Sequence, residues 1–506
     1  MKPQAVDARW LWDNEPCRAA CPVHTDAGAY VSAIAEGRYR DAYLIARRPN
    51  PFASICGRVC AAPCETACRR GTLDAPIAIR ALKRFVTERF GVESFASSAV
   101  WHEGHGPVPP AAGGSVGVIG GGPAGLAAAH DLRLAGHPVT VYEAHAQLGG
   151  MMVLGIPEYR LPRALIAREA EAVVELGIEV RTGFRIGLDA SLAELLDRHE
   201  ALFLGVGTGR ARGLDLPGHD LDGVLRAVEF LLNVNQGFRV DLGTRVVVVG
   251  GGNVAFDAAR TALRATVDGA GAPAPVAAPA VSVDDARRAM ATTLDVARAA
   301  VRAGVLDVTV IALESPEEIP ADPEEIAEAE SEGITIVYRR GPHRFVGERR
   351  VRGLETIGVA SVFDAEGRFA PTFLPGTEEI VPADAVILAV GQAADLDRTP
   401  QGGLRVDPAT LRTSHPRIWA GGDVARGPRN LVDAIADGQR AAGAIHAALD
   451  GHPTASETRV ELHVRRGFRR IDSGYDAIER VAVPSTPTDR RVGFAEVETG
   501  FDEGDA

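Results

Sequence analysis

The chain has 506 residues, 46% of them hydrophobic and 24% charged, a globular composition long enough for roughly three to four domains of ~150 residues. A formal net charge of −13 argues against a track for nucleic-acid phosphates. No apolar run approaches the ~20 residues of a membrane span, and the first residues have neither the basic nor the apolar part of a signal peptide, so the sequence reads as cytoplasmic.

Residues 1 to about 95 hold every cysteine: Cys17, Cys21, Cys56, Cys60, Cys64 and Cys68. Thiols this dense in a cytosolic chain point to metal rather than to disulfides. Between the two groups, Tyr30 to Arg48 reads as a helix-turn-helix. The last four cysteines recur every fourth residue and would line one face of a continuous helix, but Pro63 predicts a break and short loops. Loops wrapping a cubane, with a Cys21-Pro22 step, suit [4Fe–4S] ligation; tetrahedral zinc and free thiols are the alternatives. His24, beside Cys21, reads as solvated or capping rather than as a ligand. Residues 96–114, rich in Pro, Gly and His, read as a linker.

The stretch from Val116 to Gly150 is the most informative. Val116 to Ile119 predicts a buried strand, Gly120, Gly122 and Gly125 spell G-x-G-x-x-G around Pro123 and Ala124, and Leu126 to Leu134 continues as helix. A second strand, Pro138 to Tyr142, ends on Glu143, 23 residues after Gly120. In such a unit the glycines let the backbone approach a pyrophosphate on the helix N-terminus, and the acid accepts the ribose hydroxyls. Residues 201–209 read as an apolar strand ending in small residues, where backbone can lie close to a cofactor.

A second fingerprint follows Arg245: Gly250, Gly252 and Ala255, with Asn253 and Val254 between them. Its strand, 308–314, ends on Glu314, 64 residues past Gly250, because an Ala/Pro-rich insertion (270–283) and a helical run intervene. Residues 335–375 read as an antiparallel meander. Residues 384–392 repeat the apolar strand running to a glycine, Gly391, and 417–449 predict strand, Gly422-Asp423, a loop to Asn430 and a helix.

The fold class expected is α/β: an N-terminal α-helical iron–sulfur domain followed by two nested Rossmann-like dinucleotide-binding domains. The expected divisions are residues 1–95 for the cysteine domain, 115–240 with 376–451 for the first nucleotide domain, 241–375 for an inserted second one, and 452–506 for a C-terminal tail.

The motifs CGRVCAAPCETAC, IGGGPAGL, GGMMVLGIPEYRLPR, GGGNVAFDAART, EEIPA and GGDVARGPRNLVDAIADG span residues 17 to about 450. Through them the chain resembles the β (small) subunit of NADPH-dependent glutamate synthase and the flavin half of dihydropyrimidine dehydrogenase. The resemblance implies FAD on the first nucleotide domain, held by Gly120, Gly122, Pro123, Ala124, Gly125, Glu143, Leu148, Gly150, Arg160, Gly391, Gly422, Asp423 and Asn430. It implies a nicotinamide cofactor on the second, at Gly250, Gly252, Asn253, Val254, Ala255 and Glu314. Iron–sulfur ligation falls on the six cysteines. No acid, base or nucleophile is expected for hydride transfer, so no catalytic side chain is assigned.

The chain departs from that family in three places. NADPH-using relatives carry basic residues where Leu313 and Glu314 stand; a glutamate repels a 2′-phosphate, so NAD(H) is expected ahead of NADP(H). The family's upstream Cys-x-x-Cys is missing and a late ligand is replaced by Lys83, so one [4Fe–4S] cluster is expected rather than two, on Cys21, Cys60, Cys64 and an undecided fourth cysteine. A ferredoxin-like cysteine segment that follows the tail in relatives is expected on a separate polypeptide. The expected function is a flavin-dependent NAD(H) oxidoreductase passing electrons through FAD and [4Fe–4S] to a large catalytic subunit or a ferredoxin-like iron–sulfur subunit. NADPH-dependent glutamate synthase small subunit proper and a non-catalytic scaffold are the alternatives. A thiol–disulfide reductase is disfavoured because no cysteine follows Cys68.

Overall fold

A computed structural model describes residues 8–94, 98–265, 305, 307–393, 404–450, 478–491 and 493–506. The Ala/Pro-rich insertion and the helical run after it lie outside the described residues.

Two parallel five-stranded sheets carry the chain's nucleotide fingerprints. In the first, Val116–Ile119 is central, with Val139–Glu143 and Ala201–Leu204 beside it and Glu179–Thr182 and Ile418–Ala420 at the edges. The three inner strands are buried at every position, which is why their sequences run apolar without alternation. Helix Pro123–Leu134 covers this sheet and packs on helix Leu431–Asp450, where Gly438 leaves no room for a Cβ against the Ala124 carbonyl.

The second sheet runs Val224–Arg226, Ala385–Leu388, Arg245–Val249, Asp307–Ile311, Thr335–Val337. Here the expected divisions need correction. Ala385–Leu388 pairs with Val246–Val249 on one side and Val224–Arg226 on the other, so segments before 241 and after 375 contribute strands to the second nucleotide unit. The cause is Asp384: its carboxylate accepts from the amides of Thr244 and Arg245, 3.1 and 3.0 Å away, and pairs with the Arg245 guanidinium. That pins the returning strand beside Arg245. Thr335–Val337, read as the start of a meander, is the parallel edge of this sheet. The antiparallel sheet comprises Arg340–Gly347, Val351–Phe363 and Phe369–Pro382.

The cysteine domain is helical, as expected. Helices Ala27–Ala35 and Tyr39–Arg47 form the pair expected around Tyr30–Arg48, and Ala53–Val59 packs against Ile79–Phe90. Gly57 makes that last contact close: a Cβ there would sit 3.0 Å from the Arg84 Cα.

The stretch expected to be a linker is not only a linker. It contains helix Ser98–Glu103, and Trp101 is fully buried under the Arg47 guanidinium, 3.7 Å from the ring centroid. One aromatic anchor outweighs the Pro/Gly-rich composition around it. Residues 478–491 and 493–506 return to the cysteine domain. Glu496 pairs with Arg58, Glu498 pairs with Arg80, and the Val497 amide donates to the Tyr159 carbonyl.

Candidate functional site

At the first glycine turn the backbone has no spare room. Gly120 has φ +105°, and a Cβ on Gly125 would overlap the Gly120 carbonyl oxygen. Glu143, at the end of the adjacent strand, accepts from the Gly121 and His145 amides at 2.7 Å each. Its carboxylate is thereby fixed over the turn, 5% exposed. Leu148 also closes over Gly121, 2.5 Å from where a Cβ would be.

Beside this turn lies a cavity of about 300 Å³. Gly120, Gly122, Pro123, Ala124, Glu143, Gly150, Gly422, Asp423 and Asn430 line it together, so most residues the resemblance implied for FAD converge. Three of the residues named for that role do not line it: Gly125, which packs beneath the Gly120 carbonyl, Leu148 and Gly391. Leu148 packs on the turn instead. Gly391, at φ +104°, shapes the turn after its strand, and its neighbour Gln392 reaches the cavity. Asp423 opens helix Asp423–Arg426, accepting from the Arg429 amide at 3.2 Å and from Thr208 Oγ1 at 3.4 Å. Burial pushes its carboxyl up to about 6.

Arg160 lines the cavity, but its guanidinium is engaged elsewhere. Nη1 donates to both Asp257 oxygens, at 2.7 and 2.9 Å, and Nη2 pairs with Glu325 at 2.6 Å. Burial opposes the charge, yet Asp257 and Glu325 hold Arg160 firmly cationic. The resemblance implied a flavin contact; this structure gives Arg160 the further job of tying the first unit to the second. Arg260 extends the network to Glu325 and Glu332, and Arg491 of the tail joins it at Glu332.

The second turn repeats the plan. Gly250 has φ +142°, and a Cβ there would lie 2.5 Å from the Ala389 carbonyl oxygen. Ala255 is fully buried in the third position, with its methyl tolerated. Asn253 is exchanged with Asp322: its Nδ2 donates to Oδ2 at 2.9 Å, and the Asp322 amide donates back to Oδ1 at 2.8 Å. Glu314 is half-buried, and its Oε2 lies 2.7 Å from where a Cβ on Gly251 would be, as Glu143 does over Gly121. Arg339 is the nearby cation. Its amide donates to the Glu314 carbonyl, while its guanidinium pairs with Glu318 at 2.9 Å. Asn253 and Val254 also line the flavin-side cavity, so the two units meet there.

The cysteines fall into two groups. The Lys83 ammonium, buried on helix Ile79–Phe90, has the thiols of Cys56, Cys21, Cys60 and Cys64 as its electrostatic neighbours. Cys17 and Cys68 face each other across a separate cleft that Arg18, Asp26 and Arg69 also line. The chain breaks between Cys60 and Cys64 at Ala62, which takes a left-handed φ of +47° ahead of helix Pro63–Thr66. All six thiols are free of disulfides. His24 contacts the Arg18 carbonyl through Nδ1 at 3.4 Å.

Sequence reasoning passed over Val59. It lines the flavin-side cavity and a second cavity that Cys60 lines, so the thiol-bearing loop abuts the nucleotide site through one side chain. Its only signal was position, one residue before Cys60. Asp437 was also missed: buried at 1% exposure, it accepts from the Gly422 amide at 3.1 Å and from the Arg429 guanidinium, fixing the Gly-Gly-Asp step.

Known proteins are similar to this chain in sequence and in fold. A family model described as pyridine nucleotide-disulphide oxidoreductase matches residues 114–438, and one described as dihydropyrimidine dehydrogenase domain II, 4Fe-4S cluster, matches residues 11–94. The chain is 36% identical over 521 residues to the NADP(+)-dependent formate dehydrogenase subunit beta of Moorella thermoacetica, covering 96% of this chain and 68% of that one. It is 33% identical over 475 residues to the NADPH-Fe(3+) oxidoreductase subunit beta of Geobacter sulfurreducens, covering 86% of this chain and 64% of that one. It is 32% identical over 457 residues to the glutamate synthase [NADPH] small chain of Azospirillum brasilense, covering 85% and 86%. Among solved structures, FprA from Mycobacterium tuberculosis shares the fold, with a TM-score of 0.54 at 20% identity over 67% of this chain and 85% of that one. No helix among the described residues is long and apolar enough to cross a membrane. The chain belongs to the pyridine nucleotide-disulphide oxidoreductases, in the branch of glutamate synthase small subunits and dihydropyrimidine dehydrogenase-like subunits that places a 4Fe-4S domain ahead of the nucleotide-binding folds.

Proposed function

We propose that this protein is the electron-transfer subunit of a larger cytoplasmic complex, moving electrons between NAD(H), FAD and one [4Fe–4S] cluster to a large catalytic or ferredoxin-like partner. The observation that carries this reading is the shared cavity. Gly120, Glu143 and Asp423 reach it from the first unit, Asn253 and Val254 from the second, and Val59 from the cysteine domain.

The residues fit FAD. Gly120 and Gly125 would clear the approach of a pyrophosphate to the helix beginning at Pro123, Glu143 would offer a carboxylate for ribose hydroxyls, and buried Asp423 would hold a phosphate or the ribityl chain. The chemistry that FAD would supply there is acceptance of a hydride from nicotinamide and release of single electrons to a cluster. The protein's own work is to orient and to exclude water. Arg160 clamps the second unit onto the first through Asp257 and Glu325, and Met152 and Leu231 give the cavity apolar walls. No side chain has to move a proton.

The NAD(H) preference rests on Glu314. A carboxylate beside Gly251 accepts ribose hydroxyls and repels a 2′-phosphate, and Glu318 neutralises Arg339, whose amide is bonded to the Glu314 carbonyl. The formate dehydrogenase, Fe(3+) oxidoreductase and glutamate synthase relatives are named for NADP(+) or NADPH, and the dihydropyrimidine dehydrogenase subunit PreT is named NAD-dependent, so the assignment separates this chain from the first three. It also disfavours the alternative of a glutamate synthase [NADPH] small chain proper. Steady-state reduction of a one-electron dye by the purified protein tests it. The expected kcat/KM is at least about tenfold higher with NADH than with NADPH, a difference of about 1.4 kcal/mol. Equal or better use of NADPH overturns the preference.

A further inference from the structure

Six cysteines leave open which four serve one cluster. The thiols nearest Lys83 are those of Cys56, Cys21, Cys60 and Cys64, and three of these four, Cys64, Cys21 and Cys60, also surround the buried Tyr30 hydroxyl. Cys17 and Cys68 belong to neither neighbourhood; they face one another across the cleft beside Asp26 and Arg69. Cys56 is 1% exposed, and Cys60 packs against the buried cluster that holds it, beside its thiol. These two sit one helical turn apart, on helix Ala53–Val59 and at its C-cap.

That helix is held at both ends. Glu169 accepts from the amides of Ser54 and Ile55, at 2.9 and 3.1 Å, at its start, and Gly57 brings it against the backbone of the Lys83 helix. Cys56 is therefore fixed on the side of Lys83 where Cys60 also lies, and it cannot swing toward Cys17 or Cys68. An ammonium has no lone pair for iron, so Lys83 contributes charge, not ligation. A fourth donor must come from elsewhere, and a buried thiol beside Cys60 supplies it.

We propose that Cys21, Cys56, Cys60 and Cys64 ligate a single [4Fe–4S] cluster, with Cys56 as the fourth thiolate, and that Cys17 and Cys68 stand outside it as a free pair. This rests on the reading above that the chain carries a cluster. Lys83 lies beside the cluster as an uncoordinated cation that offsets its negative charge.

Anaerobic reconstitution with iron and sulfide, followed by iron and labile-sulfide counts, flavin content and electron paramagnetic resonance, tests the assignment on the full chain. The parent and the Cys17→Ser/Cys68→Ser double variant should each hold about four irons and share one reduced-state spectrum. Cys56→Ser should lose the four-iron signal, either for a three-iron one or altogether, while retaining flavin like the parent; Cys56→Ala should do the same, separating lost ligation from a misplaced hydroxyl. Four irons with an unchanged spectrum in both Cys56 variants, or loss of the cluster in the double variant, overturns the assignment and leaves the cluster reading standing. An iron-free parent overturns both.

Discussion

Glu143 accepts hydrogen bonds from two amides, at 2.7 Å each, and is 5% exposed; Glu314 takes the same place over the second glycine turn but is half-buried, and among the described residues it is held through its backbone carbonyl. The third turn position differs in the same sense. Gly125 admits no Cβ, whereas Ala255 carries one in a fully packed site. The first turn is thus built around one rigid geometry, as a permanently held cofactor requires. The second leaves its acid free to meet whatever ribose arrives, as an exchanging cofactor requires. A fixed carboxylate gives affinity, and an adjustable one gives a specificity that substitution can change.

The contrast can be broken first at Gly125. Gly125→Val drives two methyls and a Cβ into the Gly120 carbonyl, and the variant should lose FAD entirely or fail to fold; flavin absorbance in the purified protein reads this out. Retained flavin would mean that the first turn is not the tight one.

Glu169 tests what fixing an acid costs. Like Glu143 it accepts from two amides, but it is fully buried, and burial raises its carboxyl from 4.5 to about 8. A raised acid favours the folded state most at low pH. Stability from this group is present below about 4.5 and is lost as pH rises to about 8, by on the order of 1 kcal/mol per unit. Glu169→Gln should lower the melting temperature and flatten that slope in denaturation curves taken across the window; an unchanged slope rules out Glu169 as its source.

Glu314→Arg should turn the second turn toward NADPH. The ratio of kcat/KM for NADPH over NADH should rise about 10- to 100-fold, or about 1.4–2.7 kcal/mol. Glu318→Ala, which releases Arg339, should move the ratio the same way by a smaller factor. If neither substitution shifts the ratio, Glu314 does not read the ribose.

The smallest effect belongs to Ala255→Gly. It should cost about 1 kcal/mol of stability from helix propensity and lost packing, with FAD content and cofactor preference unchanged. Set beside Gly125→Val, it measures how unequal the two third positions are.

Local chemistry made the first unit readable: strand, glycines, helix, strand and acid occur within 28 residues of Val116, and each contact is set by neighbours in sequence. The glycines of the second unit were equally plain, and so was Glu314 despite the long insertion before it. Sheet membership was not. Ala385–Leu388 is four apolar residues that fit either sheet, and its place is decided by Asp384 binding Thr244 and Arg245 from 139 or 140 residues away. Arg160 posed the same problem, since its partner Asp257 lies 97 residues on. Composition misled at Trp101, where one buried ring makes an anchored helix out of a Pro/Gly-rich stretch. Cysteine spacing signalled a metal domain, and the resemblance named Cys21, Cys60 and Cys64, but the fourth thiol stayed open because it depends on which helix face meets Lys83.

The most direct measurement is anaerobic: count the FAD in the full-length chain as purified, then add NADH in a stopped-flow spectrometer and follow the flavin band. The account predicts about one FAD per chain, bleached rapidly by NADH and more slowly by NADPH. A colourless chain that takes up no added FAD, or a bound flavin that NADH leaves oxidised, would contradict it.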